Sequence, residues 1–427
     1  MNTSREKVAV IGGLRIPFVK SFTSYSEASN QDMLTHVLSQ MVQRYGLTGE
    51  RLGDVAFGSV MMHSSDWNLT REVVLGSGLS PNTPGFNVQR ACGTSLDTTN
   101  LIALKIAAGQ IAIGIAGGSD TNSDLPVVLR KSFARRIVQA GRARSVGEKL
   151  KAFSGFSPKE LSPSLPAVVE PRTGLSMGHH TEQMAKTWGI TREAQDELSF
   201  LSHQNGAKAY DAGFYDDLVV EFAGVKKDLL LRADTSIEKL AKLKPAFDPK
   251  SGTLTAGNST ALTDGASAVL LASESEAKRR GLPVLATIRD VEVNAVDFVT
   301  GKEGLLMAPA GAVARMLRRN ELKLQDFDLY EIHEAFAAQV LCTLKAWESD
   351  DYCRKELGEP KALGSIDRAK MNVKGGSVAL GHPFAATGAR IVATLAKALK
   401  ERGGGRGLIS ICTAGGMGIT AILESEG

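Results

Sequence analysis

Short runs of apolar, mostly β-branched residues alternate with amphipathic helical patterns at both ends of the chain. Ile391, Leu395 and Leu399 recur at every fourth position, which predicts a helix with one buried face. Six apolar runs are predicted to be buried strands: residues 8–11, 55–60, 111–116, 269–272, 329–332 and 408–412. Alternating strands and helices indicate an α/β protein with a mostly parallel sheet covered on both faces.

The two ends of the chain repeat the same order of segments. Asn87-Val88 precedes a turn with a cysteine, a helical pattern and Ala-Gly-Gly at 116–118. Asn372-Val373 precedes a loop with a histidine, another helical pattern and Ala-Gly-Gly at 414–416. We interpret this shared order as an internal duplication.

The middle of the chain differs in composition from both ends. It is basic and contains Ser and Pro, so we interpret it as an inserted domain. Residues 130–159 alone carry nine basic residues and one acidic residue. We therefore predict three parts: a first core half at residues 1–125, an inserted domain at 126–265 and a second core half at 266–427.

The overall charge excludes one large class of partner. The chain has 427 residues with 50 Lys+Arg and 46 Asp+Glu, and the resulting net charge of +4 is too small to indicate nucleic-acid binding. The basic segment 130–159 is therefore a local patch. It is compatible with a solvated surface, a partner protein, an anionic membrane or the phosphates of a ligand.

Cysteine usage and the N-terminus favour a reducing, cytoplasmic environment. The four cysteines (Cys92, Cys342, Cys353 and Cys412) are widely spaced, without C-x-x-C pairs, which argues against both a disulfide framework and a metal site. Residues 1–7 leave no room for the apolar region of a signal peptide before the first strand. No run of 18 apolar residues predicts a membrane span.

Two of these cysteines lie in segments where a thiol could act as a nucleophile or bind close to a ligand. Cys92 lies where a turn leads into a helix N-terminus, whose dipole and free N–H groups lower a thiol pKa and bind an oxyanion. Cys412 ends a predicted strand and opens the glycine-rich loop 413–418, where a ligand can approach the backbone closely. For a cysteine taken alone, a small buried apolar side chain is the more common role.

Two histidines are candidates for proton transfer. His382 ends the glycine-rich segment 375–383 and suits a general base for a thiol, although it is also compatible with a capping role. His333 follows a predicted strand at the sheet edge where α/β proteins bind ligands, or it is a structural strand-end histidine. The pair His333-Glu334 is not a zinc H-E-x-x-H motif because position 337 is alanine.

Other known motifs are absent or out of context. The Gly-Leu-Ser-Met-Gly segment at 174–178 matches the hydrolase pattern G-x-S-x-G but does not follow a predicted strand. The chain lacks both G-x-G-x-x-G after the first strand and G-x-x-x-x-G-K-[ST]. Nucleotide-dependent oxidoreductases and P-loop proteins are therefore excluded.

Taken together, these segments resemble the thiolase family, and in particular the thiolase subunits of fatty-acid β-oxidation complexes. The resemblance extends over nearly the whole chain and includes four further segments: Ile-Gly-Gly-Leu-Arg-Ile-Pro-Phe at 11–18, Ala-Lys-Leu-Lys-Pro-Ala-Phe at 241–247, Thr-Leu-Thr-Ala-Gly-Asn-Ser-Thr at 253–260 and Asp-Gly-Ala at 264–266. It implies a duplicated, five-layered α-β-α-β-α core and an inserted loop domain.

The resemblance also implies roles for the candidate residues. Cys92 corresponds to the nucleophile that is acylated, His382 to its base and Cys412 to the second acid/base. The backbone N–H of Ala414 would bind an oxyanion, and His333 would hold a water at the substrate thioester. The implied reaction is ping-pong acyl transfer with CoA as a substrate, without a metal or a tightly bound cofactor.

Substrate and partners follow from the same resemblance. Many thiolases have asparagine at the position of His333, whereas the long-chain β-oxidation subunits have His-Glu-Ala-Phe, so we expect a medium- or long-chain 3-ketoacyl-CoA thiolase. The alternatives are an acetoacetyl-CoA thiolase working in the condensing direction and a non-catalytic acyl-CoA-binding subunit. Met177 and Thr260 match pantetheine-side positions, and Arg232 an adenine-end contact. A homodimer or tetramer is expected, with a hydratase/dehydrogenase subunit or a membrane surface as further partners.

Overall fold

Ten strands and fourteen α-helices form the part of the chain that the computed structural model describes, residues 6–164, 166, 169–301 and 303–427. The strands are β1 (Val8–Arg15), β2 (Val19–Lys20), β3 (Asp54–Phe57), β4 (Gly85–Asn87), β5 (Ile113–Asp120), β6 (Thr263–Ser273), β7 (Ala286–Ala295), β8 (Leu329–Ile332), β9 (Gly405–Thr413) and β10 (Met417–Ser425). The helices are α1 (Asn30–Arg44), α2 (Leu69–Gly76), α3 (Thr94–Ala107), α4 (Lys131–Arg142), α5 (Val146–Ala152), α6 (Met177–Thr187), α7 (Arg192–Asp211), α8 (Ile237–Ala241), α9 (Glu274–Arg280), α10 (Ala308–Arg319), α11 (Ala337–Glu348), α12 (Asp350–Lys355), α13 (Ser377–Leu380) and α14 (Thr387–Glu401).

The order of the strands shows the internal duplication directly. The sheet runs β4-β3-β5-β6-β1-β7-β10-β9-β8, with β2 paired to β6 beside this path. On one side of the β1–β7 junction the order is β1-β6-β5-β3, and on the other side it is β7-β10-β9-β8. In both halves the outer pair is parallel and the next two pairs are antiparallel. The predicted duplication is therefore confirmed by the pairing pattern.

The prediction of a mostly parallel sheet is wrong. Among the ten strands of the described residues, only β3–β4, β3–β5 and β8–β9 pair in parallel, and the remaining strand pairs are antiparallel. The short turn Ala414–Gly416 joins β9 to β10 and reverses the chain, which only antiparallel partners allow. β6 follows the long middle segment and pairs antiparallel with both β5 and β1. Strand-helix alternation thus describes only the outer strands.

Two helices lie between the halves of the sheet. Helix α3 contacts α14, and α14 contacts strands of both halves, including β1 and β6 on one side and β9 and β10 on the other. One apolar core joins Ile102 of α3, Ile391 of α14, Val269 of β6 and Ile409 of β9. A second core joins α1 and α2 to the first half, and a third joins α10 and α11 to the second half. These layers give the five-layered α-β-α-β-α arrangement that the resemblance implies.

The middle segment divides into a packed part and an exposed part. Helix α6 contacts α11, and α7 contacts both α11 and α13, so this part lies against the second core half. Helices α4 and α5, all of whose residues are described, contain no buried residue. Among the described residues, no helix combines the length and the apolar character that a membrane crossing requires.

Candidate active site

Cys92 lies in a strained turn just before α3. Ala91 has φ of 45°, which is unfavourable for a residue with a side chain and occurs where the surrounding fold imposes it. A Cβ at Gly93 would come within 2.7 Å of Ile419 Cγ2, so a glycine is needed where the turn meets β10. Burial raises the pKa of the Cys92 thiol to about 12, against hydrogen bonds from the N–H groups of Ala414 and of Cys92 itself. The predicted lowering of this pKa by the helix N-terminus is wrong, because burial outweighs it.

The turn between β9 and β10 delivers the Ala414 N–H to the cysteine. Gly415 has φ of 77°, the left-handed conformation that this reversal requires. Its N–H donates to Glu170 Oε1 at 2.6 Å. Glu170 belongs to the middle segment, which thereby fixes the position of the turn. Cys412, one residue before the end of β9, is 1 % exposed, and burial together with nearby Cys92 raises its pKa well above the ordinary value. Two thiols therefore lie next to each other, both protonated at rest.

His382 is held by contacts on three sides. Its N–H donates to Thr263 Oγ1 at 3.3 Å, and its backbone pairs with Leu262. Its ring Nδ1 lies 2.6 Å from Thr387 Oγ1 at the start of α14. Burial, and secondarily the charge of Arg390, lowers the pKa of His382 to about 3. The imidazole is therefore neutral and has a nitrogen free to accept the proton of a thiol.

His333 follows β8 and lies directly beside His382. The two ring centroids are 4.2 Å apart, and the ligand-capable atoms of Cys92, His333 and His382 lie within 4.8 Å of one another. Nδ1 of His333 lies 2.8 Å from Ser377 Oγ, whereas its buried Nε2 has no hydrogen-bond partner in the described part of the chain. Burial, with nearby His382 and Arg390, lowers the pKa of His333 well below the ordinary value. A second neutral imidazole thus faces the thiol.

Glu334 braces the loop that carries Ser377. Its carboxylate accepts hydrogen bonds from Ser202 Oγ at 2.7 Å, Asn372 Nδ2 at 2.6 Å and the Val378 N–H at 3.2 Å. A Cβ at Gly376 would come within 2.1 Å of this carboxyl group, so the approach requires glycine. The segment after β8 and the glycine-rich loop before His382 are thereby locked together.

Both thiols and His382 line one apolar cavity of about 270 Å³, whereas His333 lies behind its wall, beside His382. Its walls include Cys92, His382, Cys412 and Ala414 together with Ser176, Met177, Gly178, Phe247, Thr260, Ala261, Leu262, Leu306, Ala335, Phe336 and Phe384. Met177 and Thr260, expected at the pantetheine, both lie in this wall. Arg232 is exposed and lies outside it, so its contact with adenine stays a prediction.

Cys92, His333 and His382 form the one cluster of metal-ligand type that is found among the described residues. Thiolate and imidazole are ligands that zinc accepts. A metal ion bound by this cluster would occupy the nucleophile and its base. The expectation of a site that works without a metal or a tightly bound cofactor stays a prediction.

Four residues at the site escaped the sequence analysis, and one of them, Arg390, donates to Ser377 Oγ from behind the site. Thr387 and Ser377 contact the two histidine rings, and Glu170 holds the Ala414 turn. Ser377 and Thr387 lie close to His382 in the chain, so their hydroxyl groups offered a weak signal. Glu170 offered none, because 245 residues separate it from Gly415.

Comparison with known proteins gives the same picture over the whole chain. Residues 8–275 match the family "Thiolase, N-terminal domain", and residues 282–425 match "Thiolase, C-terminal domain". A 3-ketoacyl-CoA thiolase of Pectobacterium carotovorum subsp. carotovorum (strain PC1) is 44% identical over 425 residues, covering 98% of this chain and 97% of that protein. A 3-ketoacyl-CoA thiolase of Yersinia pestis (strain Pestoides F) is 43% identical over 427 residues, covering 99% and 97%.

A solved structure agrees with the fold. The crystal structure of the Bacillus anthracis acetyl-CoA acetyltransferase superposes with a TM-score of 0.82 at 30% sequence identity, covering 99% of both chains. The predicted resemblance and the predicted fold class are therefore confirmed. On the family matches, the relatives and the shared fold, the chain belongs to the thiolase family.

Proposed function

We propose that this protein is a 3-ketoacyl-CoA thiolase that cleaves medium- or long-chain 3-ketoacyl-CoA in fatty-acid β-oxidation. The observation that carries the proposal is the placement of Cys92, His382 and Cys412 in one apolar cavity, with the Ala414 N–H directed at the Cys92 sulfur. A thiol exchanges readily with thioesters, and both half-reactions need proton transfer at different atoms. The apolar walls suit an acyl chain.

The first half-reaction breaks the bond between C2 and C3 of the substrate. The Cys92 thiol transfers its proton to His382 as its sulfur attacks the keto carbon, and the N–H groups of Cys92 and Ala414 bind the oxyanion. Collapse of this intermediate leaves the shortened acyl group on Cys92 and releases the enolate of acetyl-CoA. His382 and a water held by His333 stabilise the enolate oxygen, and Cys412 supplies the proton to C2.

The second half-reaction returns the enzyme to its starting state. The thiol of free CoA attacks the acyl-Cys92 thioester and gives its proton to the thiolate of Cys412. The same two N–H groups bind the new oxyanion. Collapse of this second intermediate expels the Cys92 sulfur, which recovers its proton from His382, and releases an acyl-CoA two carbons shorter.

Thiolysis of two substrates tests this proposal. Loss of the Mg²⁺-enolate absorbance of 3-ketohexadecanoyl-CoA on addition of CoA measures long-chain cleavage, with acetoacetyl-CoA in parallel and Cys92→Ala as the control. We expect faster turnover of the long substrate and its loss in Cys92→Ala. Turnover of acetoacetyl-CoA alone would favour the second candidate, an acetoacetyl-CoA thiolase, which the likeness to the acetyl-CoA acetyltransferase supports. Binding without turnover would indicate a non-catalytic subunit.

CoA contacts and compartment complete the proposal. CoA acts as a substrate, its pantetheine lying along Met177 and Thr260 and its adenine end near Arg232. Met177 and Thr260 line the cavity, which supports the first two contacts. Cys92, Cys342, Cys353 and Cys412 are all free thiols. Free thiols suit a reducing compartment, and we place the protein in the cytoplasm.

The exposed middle segment suits a membrane surface as the partner. Residues 127–161 contain half of the large hydrophobic side chains exposed among the described residues, in about a twelfth of the chain. On α4, Ile137 is 43% exposed, and Arg135 and Arg142 lie on the opposite side of the helix from it. A basic amphipathic helix of this kind binds anionic lipid surfaces.

Vesicle sedimentation tests this assignment. The protein should sediment with vesicles containing anionic lipid and remain in solution with neutral vesicles or at high salt. Ile137→Asp should abolish sedimentation, whereas Ile237→Asp, at a similarly exposed isoleucine of α8, should not. Equal sedimentation of both variants would refute it. Binding of a hydratase/dehydrogenase subunit through Ile137 instead would assign the segment to a protein partner. We also propose that the chain forms a homodimer or tetramer, and sedimentation velocity would measure which of the two is present.

A further inference from the structure

We propose that Arg390 and Ser377 hold His333 as the tautomer protonated on Nε2, so that His333 acts as a fixed hydrogen-bond donor to the water at the thioester oxygen. In this arrangement Ser377 and Arg390 are positioning residues, because neither reaches the reacting atoms. The inference rests on the proposed thiolysis only for its catalytic consequence. The tautomer itself follows from the hydrogen bonds around His333.

The direction of the hydrogen bonds is set at the arginine. Arg390 Nη2 lies 2.6 Å from Ser377 Oγ. A guanidinium group has donors and no acceptor, so the Ser377 oxygen must accept this bond. Among the described residues, the only acceptor within reach of the Ser377 hydroxyl hydrogen is its other close neighbour, Nδ1 of His333 at 2.8 Å, so a paired hydroxyl donates to this nitrogen.

The neutral ring of His333 completes the argument. A neutral imidazole carries a single N–H, and Nδ1 already accepts a hydrogen bond from Ser377. The hydrogen must therefore lie on Nε2. This atom is buried and unpartnered among the described residues, and the cluster it belongs to contains the Cys92 thiol. A buried donor without a partner is costly unless a ligand or a water accepts from it.

The burial of Arg390 indicates that this arrangement has a function beyond packing. Arg390 is 2% exposed, and Nη1 lies 3.8 Å from Glu331 Oε2, beyond hydrogen-bond distance. Within the described residues, neither Nε nor Nη1 of Arg390 has a hydrogen-bond partner. A buried arginine that only stabilised the fold would be expected to pair these donors. The one bond that Arg390 makes through Nη2 is the bond that orients Ser377.

The neighbouring histidine must have the opposite tautomer. To accept the Cys92 proton on Nε2, His382 must carry its hydrogen on Nδ1 and donate it to Thr387 Oγ1 at 2.6 Å. The two rings, 4.2 Å apart, thus present unlike atoms to the substrate. His382 presents an acceptor for the thiol proton, and His333 presents a donor for the water at the thioester oxygen. The hydroxyl groups behind the rings set this difference.

Nitrogen-15 NMR of the histidine side chains tests the tautomer without any turnover. The chain has seven histidines, and the resonances of His333 can be identified by their loss in His333→Asn. We expect the shift of a protonated nitrogen at Nε2 and that of an unprotonated nitrogen at Nδ1. A hydrogen on Nδ1, or a charged ring at neutral pH, would overturn the proposal whatever the activity of the protein.

Removal of one hydroxyl tests the catalytic consequence. Ser377→Ala should lower kcat by about 10- to 100-fold, with little change in the KM for CoA, because a lost oxyanion donor costs about 100- to 1000-fold and the His333 ring remains. Ser410→Ala removes another buried hydroxyl, unpartnered within the described residues, and should keep full activity. Equal kcat in Ser377→Ala and the wild type would overturn the positioning role. Absence of turnover in the wild type would instead overturn the proposed function and leave the NMR result to decide the tautomer.

Discussion

The hydrogen bond between His382 and Thr387 offers a sharp test of the proton-transfer chemistry. Thr387→Val keeps the shape of the side chain and removes the oxygen that lies 2.6 Å from Nδ1. In the proposed mechanism this oxygen accepts the Nδ1 hydrogen, which leaves Nε2 free to receive the proton of Cys92. In the variant the Nδ1–H would be buried without a partner, so the ring would favour a hydrogen on Nε2.

The magnitude follows from the cost of an unpaired buried group. Leaving a buried donor unsatisfied costs about 1–3 kcal/mol. The base-competent tautomer of His382 becomes less favourable by that amount, which corresponds to a decrease in kcat of about 5- to 150-fold. The free energy of unfolding should fall by at most about 1–3 kcal/mol, because the ring can change tautomer and avoid the unpaired donor.

Steady-state thiolysis and chemical unfolding measure the two effects separately. Thr387→Ser keeps the hydroxyl and should retain most of the kcat lost in Thr387→Val. Thr394→Val is the matched control, because Thr394 is also buried on α14 and its hydroxyl donates to the Arg390 carbonyl oxygen of the same helix. A kcat for Thr387→Val within twofold of the wild type would refute the assignment of His382 as the base held by Thr387.

Three further outcomes are expected. Burial raises the pKa of Cys92 to about 12, so the rate of its alkylation by iodoacetamide should rise about tenfold per pH unit between pH 7 and 9. A plateau of this rate in that range would show a preformed thiolate and contradict the prediction. Arg15→Met leaves the buried Asp228 carboxylate without its ion-pair partner, so the free energy of unfolding, measured in guanidinium, should fall by about 3–5 kcal/mol. A loss below about 1 kcal/mol would show that this ion pair is dispensable. Gly376→Ala should abolish thiolysis in a protein that still folds, because its Cβ would displace Glu334, and retained turnover would show that the loop adapts.

The sequence alone singled out the residues that the structure brings together at one site, for a physical reason. A cysteine before a helix and a histidine in a glycine-rich loop are local features, and each can be recognised from a few consecutive residues. The structure places Cys92, His382 and Cys412 in one cavity wall, with His333 beside His382. The internal duplication could be predicted from the sequence because its segments recur in the same order, and the order of the strands repeats in the same way.

The contacts that tune these groups could not be predicted in the same way. Arg390 lies in a helical segment, where an arginine ordinarily indicates a solvent-exposed position, yet it is fully buried between the layers. Glu170 contacts Gly415 from the middle segment, and no local pattern joins the two. The sheet direction was mispredicted for a related reason, since β6 returns to the sheet only after the long middle segment. Such contacts depend on the packing of distant segments.

The most direct test of the account is to find where the acyl group is held during turnover. The protein would be mixed with hexadecanoyl-CoA without free CoA, digested, and its cysteine peptides analysed by mass spectrometry. The account predicts a hexadecanoyl thioester on Cys92, its removal by added CoA, and no acyl group on Cys412. An acyl group on Cys412, or a stable one on Cys92 that CoA cannot remove, would contradict the central claim that Cys92 is the nucleophile of a reversible acyl transfer.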